Sequence, residues 1–201
     1  MSVNGQVKLS KGVRFRIRRG AGSRRRGRAR GWRRALIAAL ALAAVFIVVT
    51  ARLFVWPARG MPARVDAIVM LAGPGDRLAV ATRLAREHRA RVLVVSQGWK
   101  GYGGPCPPKT PGVKLICFDP DPGNTRGEAE AAGALAKRYG WHSLVLVTTP
   151  AQDTRARILV RRCFGGSIYV MTASLPWDDW PYQIAYGWGA LLKALVFQRA
   201  C

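Results

Sequence analysis

No aspartate or glutamate precedes Asp66, and the 201-residue chain holds only 10 acidic side chains against 33 lysines and arginines. Sixteen of the 33 fall in residues 1–65, and the remainder of the chain carries 17 basic against 10 acidic side chains. The formal charge of +23 therefore belongs mainly to the N-terminal third. That asymmetry argues against a uniformly basic nucleic-acid-binding domain, so no specific nucleic-acid partner is expected. Histidine is nearly missing, with only His88 and His142. Cysteine is absent before Cys106, and none of the four cysteines has C-x-x-C metal spacing, so no metal site is expected. A Walker loop, a nucleophile elbow and a Ser-His-Asp order are all lacking.

The chain does have one long uncharged run. Residues 35–51 contain no charge, and after Arg52 the run resumes through Trp56 to Pro57. Taken with Arg52 snorkelling, residues 35–56 extend ~33 Å as a helix, enough to cross a bilayer core. Trp32 and Trp56 stand where interfacial aromatics belong, and Pro57 can end the helix. Thirteen of the first 34 residues are Lys or Arg, with no apolar periodicity, which reads as an unstructured basic tail able to lie on anionic lipid. The positive-inside rule then puts the tail in the cytoplasm and everything after the span outside. A buried core helix is disfavoured because the run has no amphipathic stripe. A cleavable signal peptide is the stronger rival, but the tail is long for one and no clear Ala-x-Ala site follows. The expected organisation is a tail over 1–34, a transmembrane helix over 35–56, a linker over 57–64 and a folded domain over 65–201.

Outside the cytoplasm, an even number of cysteines suggests disulfides. Cys106, Cys117, Cys163 and Cys201 allow three pairings. Proximity favours Cys106 with Cys117, closing a Gly/Pro-rich loop, which leaves Cys163 for Cys201.

After residue 64, short β-branched runs alternate with helical stretches. Strands are expected over 65–71, 91–96, 113–118, 143–148 and 167–171, and helices over 77–88, 125–139 and 151–163. Nearly continuous hydrophobic strands interleaved with helices indicate a parallel sheet covered on both faces. The fold class is α/β, a Rossmann-like three-layer domain preceded by one transmembrane helix. Trp177-Asp178-Asp179-Trp180-Pro181 reads as a turn before an apolar helix over 182–197. That helix is too short and too interrupted to span a membrane. It is expected to pack on the sheet, with contact at the membrane surface as the alternative.

A parallel sheet gathers its ligands at the carboxyl ends of its strands. Gly73, Gly75, Asp76 and Arg77 follow the first strand, and Ser96 and Gly98 end the second. Asn124 and Thr125 follow the third, and Thr148 and Thr149 end the fourth. Glycines admit a close backbone approach and helix starts favour anions, so these residues are the expected ligand-binding set. Asp76, Asn124 and Thr125 are also good helix caps. A cationic Arg77 beside a helix N-terminus opposes the dipole unless an anion also binds. It is therefore expected to hold that anion, and its loss is expected to change fold stability little. Gly73-x-Gly75 lacks the third glycine of a dinucleotide fingerprint, and no cofactor is expected. Glu128, one turn into its helix, is the carboxylate able to act as acid or base, although an exposed helix glutamate is the commoner arrangement. His88 ends a helix and His142 precedes a strand, so both should lie at the opposite edge.

In the order and spacing of these residues, positions 66–163 resemble the YdcF/SanA/ElyC-type domain of bacterial envelope proteins. The pattern comprises Gly73, Gly75 and Arg77, then Ser96 and Gly98, then Asn124, Thr125 and Glu128, then Val147, Thr148 and Thr149 with Arg155-Ala156. Gln152 departs from it, standing where the family commonly has His. The resemblance implies a single-pass membrane protein of envelope or cell-wall biogenesis whose substrate the family leaves undefined. Some relatives are associated with peptidoglycan assembly and its lipid carrier, and the expected ligand is an anionic, phosphorylated intermediate, either lipid-linked or free. A cytoplasmic relative's S-adenosylmethionine fits poorly outside the cytoplasm. The alternative is a non-catalytic scaffold of the wall machinery.

Overall fold

The computed structural model describes residues 22–57, 60–98 and 106–201. The chain forms two compact units, Met1–Val45 and Phe46–Cys201. Helix α1 covers Gly22–Thr50 and passes into a π-helical turn, Ala51–Val55. Within it, Gly31–Val55 is long and apolar enough to cross a membrane, with mean hydropathy 2.5 and no part of its most apolar window buried. Leu36, Leu40, Leu42 and Val45 all stay exposed, as expected of a helix whose apolar surroundings are not supplied by its own domain. The basic tail expected to be unstructured through residue 34 is already helical from Gly22. The physical reason is that arginine and alanine are good helix formers, and a helix nucleated by an apolar run propagates at little cost. The rest of that tail, residues 1–21, lies outside the described residues. At the other end, the Thr50 hydroxyl donates to the Phe46 carbonyl (2.8 Å), a local competitor for the helix ladder where α gives way to π.

The second unit is built on a five-stranded parallel sheet of order β3-β2-β1-β4-β5. Its strands are β1 Ala67–Met70, β2 Val92–Ser96, β3 Lys114–Phe118, β4 Ser143–Thr148 and β5 Ser167–Thr172. Period-two alternation sends Ala67, Val69, Leu144 and Leu146 to one face and Ile68, Met70, Val145 and Val147 to the other. Because both faces are covered, the central strands are apolar on both sides. Helix α2 (Arg77–Arg86) buries Ala81, Leu84 and Ala85 on the second face. Helices α3 (Thr125–Tyr139) and α4 (Pro150–Cys163) cover the first with Ala129, Ala132, Ala156 and Leu159. The three-layer α/β reading is thus the observed architecture.

Helix α5 (Trp180–Val196), preceded by a 3-10 turn at Trp177–Asp179, corrects one expectation. It packs on α4 rather than on the sheet, because α3 and α4 already cover that face. Leu191 and Ala194 are buried, and Gly187 rests on the buried Phe54 ring. A Cβ at Gly187 would lie 2.8 Å from Phe54 Cε1, so only glycine permits this approach. Full burial of Phe54 contributes ~1.5–3 kcal/mol. The disulfide favoured by proximity, Cys106–Cys117 on β3, and the remaining pair, Cys163–Cys201, are both formed. The second pins the segment after α5 to the end of α4. Residues 99–105, which precede the loop closed by the first, lie outside the described residues.

Candidate functional site

Strand order reverses between β1 and β4, and the crevice at their carboxyl ends is where such sheets accept ligands. A pocket of about 340 Å³ opens there. Its floor comes from the β1 turn and the first turn of α3, and its walls from α4 and α5.

The turn after β1 brings Arg77 back beneath the floor. The side chain is 2% exposed. Its Nε donates to the Pro74 carbonyl (2.8 Å), and Nη1 donates to the carbonyls of Leu71 (3.1 Å) and Ala72 (2.6 Å) and to Gln152 Oε1 (2.7 Å). Nη2 donates to Thr149 Oγ1 (3.2 Å). Burial pushes its pKa down to about 10, with Glu128 opposing that shift and Arg155 adding to it, so the group is charged at neutral pH. The expectation for Arg77 therefore needs correction. The cation at this helix start is balanced by protein oxygens, and an anion in the pocket would have to displace them to reach it. Removing it would strand these acceptors, so it cannot be nearly neutral for stability.

Glu128 lines the pocket yet is only 3% exposed, so the arrangement of an exposed helix glutamate does not hold. The first turn of α3 docks on the ends of β1 and β2. Glu128 Oε1 accepts from the Ala72 amide (2.6 Å), and the Ser96 hydroxyl also bonds the carboxylate. Ser96 in turn accepts from the Gly98 amide (3.3 Å). Burial pushes the Glu128 carboxyl above its ordinary range, against the pull of these bonds and of Arg77 and Arg155. A Cβ at Gly127 would collide with the Pro122 carbonyl, so glycine is what lets the preceding loop close over this turn.

Gln152 connects the two halves. Its Oε1 accepts from Arg77 and its Nε2 donates to Thr125 Oγ1 (3.0 Å), a bridge between α2, α3 and α4. Asn124 caps α3 by accepting from the Arg126 amide (2.9 Å). Asp76 does not cap α2. Its backbone (φ −84°, ψ 36°) is outside the extended geometry that a cap requires, and its carboxylate accepts instead from the Ser174 amide (2.7 Å).

Of the residues singled out from sequence, Gly73, Gly98, Asn124, Thr125 and Glu128 line the pocket together. Ser96, Thr148 and Thr149 are fully buried behind it, and Gly75 packs against Ser174 and Thr149. His142 lies at the opposite strand edge, where its amide donates to Asp66 (2.8 Å). His88 shares that edge, lining a separate cleft with Asp66 and Val92. Among the described residues no three His, Cys, Asp or Glu side chains are grouped to hold a metal ion.

The sequence placed Arg155 in the YdcF-type pattern but gave it no part in the ligand-binding set. Gln152, Arg155 and Leu159 fall at i, i+3 and i+7 on one face of α4, and all three line the pocket. That spacing was the available signal. The Arg155 guanidinium stands 5.2 Å from the Tyr186 ring centroid, and its Nε is buried without a hydrogen-bond partner. The other cationic lining groups are Lys193 and Arg126, the latter paired with Glu130 at 2.7 Å. Against them stands Glu128, the one carboxylate lining the pocket among the described residues and one whose charged form burial disfavours. Such a lining favours an anion, with Glu128 placed to exchange a proton with it. No family model, curated protein or solved structure matches the chain.

Proposed function

We propose that this chain is a membrane-anchored factor of envelope or cell-wall biogenesis whose α/β domain binds an anionic, phosphorylated and lipid-linked intermediate. The observation that carries this reading is Arg155. It is a pocket-lining guanidinium held by Tyr186, with a buried Nε that has no acceptor. A buried donor of this kind costs free energy until an acceptor arrives, and the positive end of the α3 dipole borders the same space. Arg155 would take the phosphate, Asn124 and Thr125 would orient the polar head, and Glu128 would act as proton donor or acceptor.

The order of Gly73, Arg77, Ser96, Asn124, Glu128 and Thr148, similar to that of YdcF-type envelope proteins, supports the assignment to wall biogenesis. Two disulfides and a polybasic N-terminus support a cytoplasmic tail and an extracytoplasmic domain. Mass spectrometry of small molecules and lipids retained by the full chain, extracted in native nanodiscs, tests the reading. A co-purifying polyprenyl phosphate or a wall intermediate attached to one is expected. A nucleotide or an adenosyl compound would overturn it. If every pocket substitution leaves function intact, the scaffold alternative stands.

A further inference from the structure

The exposed face of α5 is apolar. Tyr182, Tyr186, Leu192, Leu195 and Phe197 are all exposed, Leu192 by 62% and Phe197 by 78%. Leu192, Leu195 and Val196 fall within one side of the helix, while Tyr182 and Tyr186 line the pocket, and an exposed apolar stripe of this kind marks a contact surface. What that surface meets follows from Trp188, which falls on the same stripe as Leu192 and Leu195 at i, i+4 and i+7. Trp188 stacks on Phe46 (centroids 5.5 Å apart) and meets Phe54 edge-on (5.3 Å). Both phenylalanines belong to the apolar helix Gly31–Val55. They are eight residues apart, ~12 Å along a helix axis, so the indole between them stands level with Thr50, roughly 7 Å inside the Val55 end. Amphipathic helices in a bilayer interface sink their apolar face about 5–10 Å below the headgroups. A bilayer crossed by Gly31–Val55 would therefore place Trp188 at that depth. The exposed cations Lys193 and Arg199 suit anionic headgroups.

We infer that α5 is a second membrane element, an interfacial helix whose Leu192 and Leu195 lie in the leaflet at the C-terminal end of the α1 span. The occupant of the apolar face is lipid. Because Tyr182, Tyr186 and Lys193 also line the pocket, the pocket would open beside the membrane surface. The inference rests on Gly31–Val55 crossing a bilayer and is independent of what the pocket binds.

The test uses the full chain in nanodiscs of phosphatidylcholine and phosphatidylglycerol. All four native cysteines are paired, so an introduced thiol is the sole attachment point for a nitroxide. Labels are placed in Leu192→Cys and Leu195→Cys, with Val196→Cys as a substitute for either variant that fails to fold. Leu40→Cys reports on the span and Arg83→Cys, on the exposed side of α2, reports on water. The α5 labels should resemble Leu40, being more accessible to oxygen than to a water-soluble nickel chelate, while Arg83 shows the reverse. Water-accessible α5 labels with a lipid-exposed Leu40 would overturn the inference alone. A water-accessible Leu40 would overturn the span and the inference with it. Strong dipolar coupling between α5 labels that oxygen does not reach would assign the face to a second copy and overturn it too.

Discussion

Nη1 of Arg77 donates to Oε1 of Gln152 across 2.7 Å, joining residues 75 positions apart in a bond from which water is excluded. Through it the turn after β1 is connected to α4, and through the Gln152 amide to Thr125 at the start of α3. One side-chain amide thus sets the relative position of the three segments that frame the pocket.

Replacing Arg77 should destabilise the domain, because five acceptors would be left in a buried site. Arg77→Ala is expected to cost more than ~3 kcal/mol in denaturant unfolding, the range for breaking buried charged contacts. Arg161→Ala, at an exposed position of α4, should stay within about 0.5 kcal/mol of the parent.

Gln152→His should be tolerated at high pH and penalised at low pH. A neutral imidazole can accept from Arg77 with one nitrogen and donate to Thr125 with the other. Its protonated form would face the buried Arg77 cation, so its folded pKa falls below the unfolded value near 6.5. Stability is then present above that unfolded value and lost as pH falls through and below it. Unfolding curves at pH 8 and pH 5, compared with the parent, check this. An unchanged difference between the two pH values would count against the bridge.

Glu128 has the opposite sign. Burial raises its folded pKa, so the folded state holds a proton that the unfolded state releases above the ordinary value of about 4.3. Its contribution is favourable at acid pH and is lost as pH rises towards the raised folded value. Glu128→Gln removes that slope. The stability of the parent relative to this variant should fall as pH is raised from 4 to 8, measured by urea unfolding at each pH.

Reduction should loosen the wall made by α5. Cys163–Cys201 closes the segment that carries this helix, and its loss in Cys163→Ser should cost ~2–4 kcal/mol. Hydrogen exchange should rise in α5 and in the Phe54 segment it covers, with little change in β1 and β4. Alkylation without reductant should find no free thiol in the parent.

Much of this was legible from residue order. The helix over 125–139 and the strand over 143–148 match α3 and β4 because their ends are written locally, in the Asn124 cap and in Gly140 with φ +66°. The glycine turns located the pocket because a parallel sheet brings its strand ends together. The role of Arg77 was not legible, since spacing shows a cation at a helix start but not that its side chain folds back into backbone carbonyls. Glu128 was legible as the site's candidate carboxylate, but its burial was not, for a related reason. Its burial is imposed by Ala72 and Ser96, which are distant in sequence. Arg155 stood in the family pattern, but that it lines the pocket while Arg157, Arg161 and Arg162 do not was hidden until tertiary packing distinguished the faces of α4. The position of α5 depended on which faces of the sheet were already taken.

The central claim is tested most directly by titrating the full chain in nanodiscs with a polyprenyl phosphate and with the matching uncharged polyprenol. The phosphate should bind and the alcohol should bind far more weakly. Arg155→Ala should weaken phosphate binding by about tenfold or more, the equivalent of the ~1.5–3 kcal/mol carried by hydrogen bonds to charged groups, while Arg161→Ala leaves it unchanged. Equal affinity for phosphate and alcohol, or equal losses in the two arginine variants, would contradict a pocket built to hold phosphate.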